Sequence, residues 1–360
     1  MRLNGSIEVY GIIGRIVGAI VMLGLLAGCA ASVEPRPAVV VASPTPIPRP
    51  TRTSTPLPTA TLTPTTTSTP APTNTPTATA TPPPTGTASA SAVTRTPRPT
   101  PTDGPPPPPP PGINGVANAA IFVMSDAAQQ HVQAIFAAGQ ALGRNPRAFS
   151  KVGDSTIQLP YFLGRFDGGD YDLGDYAYLQ SAIDYYAGSF GRDGEAVRKG
   201  FHSWTVFNPT WANKDVCEPN EGPLPCEFRV HNPSVLLIRL GANDVIPAGA
   251  FEKDMRAILD YAIENGVIPI LGTKPDRNEG SDQNNTVIRQ LADEYTLPLW
   301  DFDALAATLP DRGLGPDKVH MTSFPSFDYT QPTAFERGHA VHNLSALIVL
   351  DRIRLTVGSP

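Results

Sequence analysis

Three short clusters of polar residues, far apart in the 360-residue chain, carry groups that could act together on a carbonyl. They are Gly153-Asp154-Ser155, Gly241-Ala242-Asn243-Asp244 and Asp317-Lys318-Val319-His320. A serine hydroxyl is a weak nucleophile until a neighbouring base takes its proton. Histidine is the side chain suited to that task around neutrality, and His320 is the candidate. Asp317, three residues earlier, can hold the ring in one tautomer and stabilise the imidazolium. The Asn243 amide can donate to the oxyanion that forms when a carbonyl is attacked. Together these groups supply acyl transfer. Separately each reads as a plain loop, since Gly, Asp and Ser are ordinary turn residues.

The surrounding pattern must bring the clusters to one edge. Ala148 and Phe149 belong to a short buried strand that Gly153 and Asp154 break, leaving Ser155 at its tip. Ser234 to Leu240, with its unbroken Val-Leu-Leu-Ile, reads as a strand covered on both faces and ends at the second cluster. Helices are expected over Asp126–Leu142, Tyr178–Tyr186, Phe251–Asn265 and Thr286–Tyr295, from their apolar spacing and glycine stops. Further strands are expected over Val267–Leu271 and Leu297–Trp300. A last helix carries Val341, Leu344 and Ile348 inward, with His339 and His342 as packing or solvent-facing residues. Strand and helix alternate, which argues for a parallel sheet between helical layers. Such sheets bind ligands at the carboxyl ends of their strands. Glu195 to Lys199 leads into Gly200–Thr205, where one more short strand is read with Gly200 at its exit, a place where a glycine lets backbone approach a ligand. Gly188, Gly191 and Gly194 compete for that role.

In order and spacing, the clusters resemble the blocks of the SGNH, or GDSL-type, hydrolase family. Gly153-Asp154-Ser155 matches its first block, Gly241-x-Asn243-Asp244 its third and Asp317-x-x-His320 its fifth. The resemblance covers most of residues 145–350. It implies that Ser155 is the nucleophile, His320 the base and Asp317 its orienter. The N–H groups of Ser155 and Gly200 and the Asn243 amide would form the oxyanion hole, Gly200 being the thinnest match. It further implies an α/β, flavodoxin-like, three-layer domain with a central parallel sheet of about five strands and no metal or cofactor. No Gly-x-Ser-x-Gly elbow surrounds Ser155, which argues against the α/β-hydrolase fold. Acyl esters such as O-acetylated carbohydrate or lipid esters are the expected substrates. The alternatives are an O-acyltransferase using the same residues and an inactive surface binding module.

The rest of the chain concerns location. Arg2 and Arg15 precede an apolar run from Ile16 to Ala27, the pattern of an export signal over residues 1–29. Leu26-Ala27-Gly28-Cys29 resembles a bacterial lipobox, which would make Cys29 the lipidated residue; an uncleaved anchor helix or an ordinary signal with a chance cysteine is the alternative. Most of the 41 prolines fall within residues 30–112, among Thr, Ser and Ala. That composition cannot build a core and favours an extended polyproline stalk. Residues 113–360 are then one hydrolase-like domain, large enough for a single core. The expected setting is extracytoplasmic, lipid-anchored to a bacterial membrane. A net charge of -6 argues against a nucleic-acid partner. Cys217 and Cys226 are expected to pair outside the cytoplasm, with two buried free thiols as the alternative. The aspartates of Asp167–Asp175 lack the EF-hand spacing and read as a solvated loop.

Overall fold

A computed structural model describes residues 108–358. Cys29, the export signal and nearly all of the expected stalk lie outside the described residues. Five strands form the central sheet: β1 (Phe122–Val123), β2 (Asn145–Gly153), β3 (Pro233–Arg239), β4 (Ile268–Gly272) and β5 (Leu299–Trp300). Their spatial order is β1-β5-β4-β3-β2. β2 to β5 run parallel, as expected, while β1 lies antiparallel beside β5 at one edge. The expected parallel sheet of about five strands thus forms, with one short antiparallel strand added at its edge. Two residues are too few to show any periodicity, and β1 is held simply by pairing with Leu299 and Trp300.

Every residue of β3 is buried. Because successive side chains point to opposite faces, both faces of the sheet must be covered there. The covering helices are α1 (Asp126–Ala141), α2 (Pro223–His231), α3 (Ala248–Glu264), α4 (Gln283–Glu294) and α5 (Gly338–Gly358). α1 packs with α5, and α3 with α4. The Ser125 hydroxyl caps α1 by accepting the Ala128 N–H at 3.1 Å. His342 on α5 is a packing residue, stacked on Trp300 at 4.8 Å with its Nε2 3.3 Å from Arg239 Nε. Burial pushes the His339 imidazole down to about 4 and holds His342 well below its ordinary value, so both rings are neutral at neutral pH.

The strand expected within Glu195–Thr205 does not form. Only Val197 pairs, in a parallel bridge to Gly153. Its neighbours take up both backbone groups of Gly153: the Gly153 N–H donates to Ala196 O, and the Arg198 N–H donates to Gly153 O, each at 3.1 Å. Left-handed turns at Gly194 and Gly200 bend the chain too soon on either side for a longer ladder. The acidic loop is bound up in backbone capping: the Asp167 carboxylate accepts the N–H groups of Gly188 and Gly191.

The Cys217 and Cys226 sulfurs lie 2.09 Å apart, a disulfide distance, and Cys226 lies in α2. Glu195 lies within 4.8 Å of both sulfurs, the one close grouping of metal-type ligands among the described residues. The sulfurs bond each other, so no thiolate is offered there. Closing so short a loop contributes roughly 2–3 kcal/mol by restricting the unfolded chain. Reduction should therefore lower Tm while leaving the reactivity of Ser155 per folded molecule intact. Peptide mapping under non-reducing conditions that recovers both cysteines alkylated would refute the bond.

Lys151 makes a second stability test. It lies inside β2, 1% exposed, with Nζ 3.8 Å from Asp193 Oδ1 and over the Phe162 ring. Burial pushes its ammonium down to about 8 from 10.5, with Asp193 opposing. Between those values the unfolded chain binds more protons, so stability rises as pH climbs through that window. Below it the burial penalty is fully present, of order 3 kcal/mol. Lys151→Met should thus raise Tm at neutral pH and flatten the rise between pH 8 and 10.5. A lower Tm for this variant would show that the ammonium stabilises the strand.

Candidate active site

Ser155 follows the carboxyl end of β2 and opens a 3-10 turn, Ser155–Ile157. Asp154 caps that turn, its Oδ1 accepting the Thr156 N–H at 2.9 Å. The Asp154 carboxyl is fully buried, which pushes its pKa up, while the Thr156 hydrogen bonds and the Arg239 charge pull the other way. Gly153 is required by space. A Cβ there would sit 2.5 Å from both Arg239 O and Ile157 Cδ1. β2 can close on β3, and the turn on β2, only around a glycine. Ser155 itself remains half-buried, reachable from outside.

The partner groups come from the loop before α5. Its hairpin-like course is fixed by Gly315 N–H donating to His320 O at 2.7 Å and Thr322 N–H to Gly313 O at 2.8 Å. Asp317 Oδ1 accepts the N–H groups of Val319 and His320 at 3.1 and 2.9 Å. Its Oδ2 lies 2.7 Å from His320 Nδ1, and His320 Nε2 lies 2.9 Å from Ser155 Oγ. A carboxylate only accepts, so Nδ1 carries the proton and Nε2 is left to accept from the serine. The bond from the ring, together with the two weaker backbone bonds, pulls the Asp317 carboxyl down to about 2. The three groups expected from sequence thus stand in one continuous hydrogen-bonded chain.

Asn243 and Gly200 arrive from either side of β2. Gly153 pairs with Arg239 of β3 on one side and bridges Val197 on the other. The loops that continue from these neighbours, through Asn243 and through Gly200, therefore flank the serine turn. Gly200 has φ +80°, which an L side chain rarely adopts, and nothing within 4 Å would meet a Cβ. Its turn, not crowding, calls for glycine. The Asn243 amide donates to Phe201 O at 3.0 Å, tying the two loops together.

Asp244, seen in the sequence only as a letter of the second cluster, and two residues with no sequence signal, Asn278 and Asn284, hold this corner. The buried Asp244 carboxylate accepts the Ser203 N–H at 2.9 Å and its hydroxyl at 2.8 Å. Asn278 Nδ2 donates to Ala242 O at 2.8 Å, and Asn284 Nδ2 donates to Gly241 O at 3.0 Å and Asp244 O at 3.1 Å. Asn278 and Asn284 lie around the start of α4, over 30 residues away in sequence, so only the fold reveals their role.

No protein-family model matches the chain, and no curated protein matches it in sequence. Solved structures do match. A lipolytic protein of the G-D-S-L family from Desulfitobacterium hafniense is 15% identical, covering 56% of this chain and 99% of its own, with a TM-score of 0.34. An acetylxylan esterase from Geobacillus stearothermophilus, a catalytic mutant, is 16% identical over 57% of this chain and 94% of its own, TM-score 0.32. A GDSL-like lipase from Bacteroides thetaiotaomicron is 13% identical over 62% and 98%, TM-score 0.33. Scores this low leave the chemistry to be read from the side chains themselves.

Beside His320 opens a cavity of about 780 Å³, lined by Asp317, Met321, Phe324, Thr333 and Arg337 among others. It provides room for a substrate next to the proposed base, with both apolar and polar walls.

Proposed function

We propose that the chain is an SGNH-type serine ester hydrolase, held outside the cytoplasm by a lipid at Cys29 and a stalk over residues 30–112. The observation that carries the chemistry is the unbroken relay from Ser155 Oγ through His320 to Asp317, with links of 2.9 and 2.7 Å. In the first half-reaction Ser155 Oγ attacks the ester carbonyl carbon while its proton passes to His320 Nε2. The tetrahedral oxyanion is met by the N–H groups of Ser155 and Gly200 and by the second hydrogen of the Asn243 amide. Collapse breaks the carbonyl carbon–oxygen bond, and the alcohol leaves with the proton from His320. Water then attacks the acyl-serine, returning its proton through His320, and releases the acid and free Ser155. Asp317, held near 2, stays ionised through this cycle and steadies the imidazolium.

Turnover of p-nitrophenyl acetate by the full chain tests the reading directly. An inert native protein, with a control esterase active in the same assay, would leave a binding module in its place. For the anchor, Cys29→Ser should abolish incorporation of radiolabelled palmitate. Equal labelling of the variant would place the lipid elsewhere.

A further inference from the structure

Two large aromatic side chains stand exposed on segments tied to the site by hydrogen bonds and ring contacts, outside the relay. Trp204 is 44% exposed and Tyr161 is 52% exposed. Trp204 lies in the 3-10 turn Ser203–Thr205, directly after the segment whose Phe201 carbonyl takes the Asn243 amide and whose Ser203 is clamped by Asp244. Its ring is braced from two directions. The His202 ring stacks on it at 5.7 Å, 28° from parallel, and Trp211 meets it edge-on at 5.8 Å. Trp211 is in turn packed edge-on to Phe201, and Arg198 reaches over its ring and donates to its carbonyl.

Tyr161 is fixed in the same manner on the other limb of the site. It lies six residues after Ser155, and its ring stacks on the buried His339 at 5.3 Å, 22° from parallel. Asn343 Nδ2 holds its carbonyl at 2.9 Å. The His339 N–H donates to Thr322 O, two residues beyond His320. One exposed ring thus stands on the segment that Asn243 ties down, and the other packs on a residue bonded to the loop that carries His320.

An exposed ring braced in one orientation offers a ligand a large apolar face at little further cost in side-chain entropy. The negative face of such a ring attracts the weakly positive C–H edges of a partner. A pyranose offers such C–H groups on one face and hydroxyls around its rim. The surroundings match that mixed chemistry: the His202 ring stacks on Trp204, Arg198 lies over the neighbouring Trp211, and Thr322, Thr333 and Arg337 line the cavity beside His320. A long acyl chain would instead need a continuous apolar channel. We propose that Trp204 and Tyr161 are sugar-binding platforms, seating pyranose rings of an oligosaccharide so that an O-acyl group on it reaches Ser155. This assignment rests on the ester-hydrolase reading and names its alcohol portion as carbohydrate.

The full chain carrying Ser155→Ala can be titrated with unesterified xylohexaose, cellohexaose and chitohexaose while tryptophan emission is followed. Of the three tryptophans, Trp300 is buried and Trp211 half-buried, so a change reports chiefly on Trp204. At least one hexasaccharide should give a saturable shift that Trp204→Ala abolishes. Calorimetric affinity should fall roughly ten-fold in Tyr161→Ala and less in Trp204→Phe, which keeps a smaller ring and guards against a folding failure. Binding needs no ester cleavage, so this result stands apart from whether the serine is active. With an acetylated oligosaccharide and active protein, Trp204→Ala should lower the kcat/KM ratio against p-nitrophenyl acetate about ten-fold, mainly through KM. No saturable response to any of the three sugars would overturn the proposal. So would unchanged affinity in Trp204→Ala, or an emission shift with phosphatidylglycerol vesicles and none with sugar, which would assign the rings to lipid.

Discussion

A fluorophosphonate probe should label Ser155 in the native chain and no other serine. Only a serine whose proton is being accepted attacks such a phosphorus centre readily, and Ser155 has His320 Nε2 at 2.9 Å. Asp317 is pulled from 3.8 down to about 2, so its hold on the ring is complete above the ordinary value and is lost only as pH falls through about 2. Ser155→Ala and His320→Ala should each cut kcat on the order of 10⁴-fold or more, and the double variant should be little worse, since the groups act as a unit. Asp317→Asn should damage less if the backbone of the loop still orients the ring. The Asp317 and His320 side chains are about half exposed, so their variants should melt close to the parent. Native protein that stays unlabelled beside a labelled control esterase would end the hydrolase reading, as would His320→Ala labelling at the parental rate.

The relay is legible in the sequence because its parts are chemically distinctive and sit at the ends of well-marked elements. The run Val235–Ile238 announces a buried central strand, and the residues just past the carboxyl end of such a strand lie at the ligand-binding edge. Asp317 and His320 are close in sequence, so a single local turn is enough to join them. β1 escapes because a two-residue strand carries no period and depends on its neighbour. The segment around Val197 misleads: its glycines and its single bridge to Gly153 make a bent connection where a short strand is expected. Asp244 is visible only as a motif letter. That its carboxylate clamps Ser203, and so brings Gly200 and Asn243 together, depends on two loops from opposite sides of β2 meeting. The aromatic rim is equally silent in sequence, since an exposed tryptophan and a buried one look the same in one dimension.

Asn243→Ala should lower kcat about 10²–10³-fold with KM little changed, the size usual for losing one oxyanion donor. The amide nitrogen has two hydrogens. One is committed to Phe201 O at 3.0 Å, which fixes the plane of the amide and leaves the other available to the site. The same bond supplies a competing account, in which Asn243 merely ties its loop to Phe201. The two accounts separate on stability. Asn243 is half-buried, and its loop is held independently by Asn278, Asn284 and Asp244, so losing one tie should cost little in Tm. Asn243→Asp sharpens the comparison. It keeps the volume but removes both donors and sets a carboxylate against the Phe201 carbonyl and the developing oxyanion. If Asn243 stabilises negative charge, this variant should turn over more slowly than Asn243→Ala. A carboxylate variant as fast as the alanine one, or turnover per folded molecule preserved in both while Tm drops, would reduce Asn243 to a structural tie and leave the oxyanion to the backbone N–H groups alone.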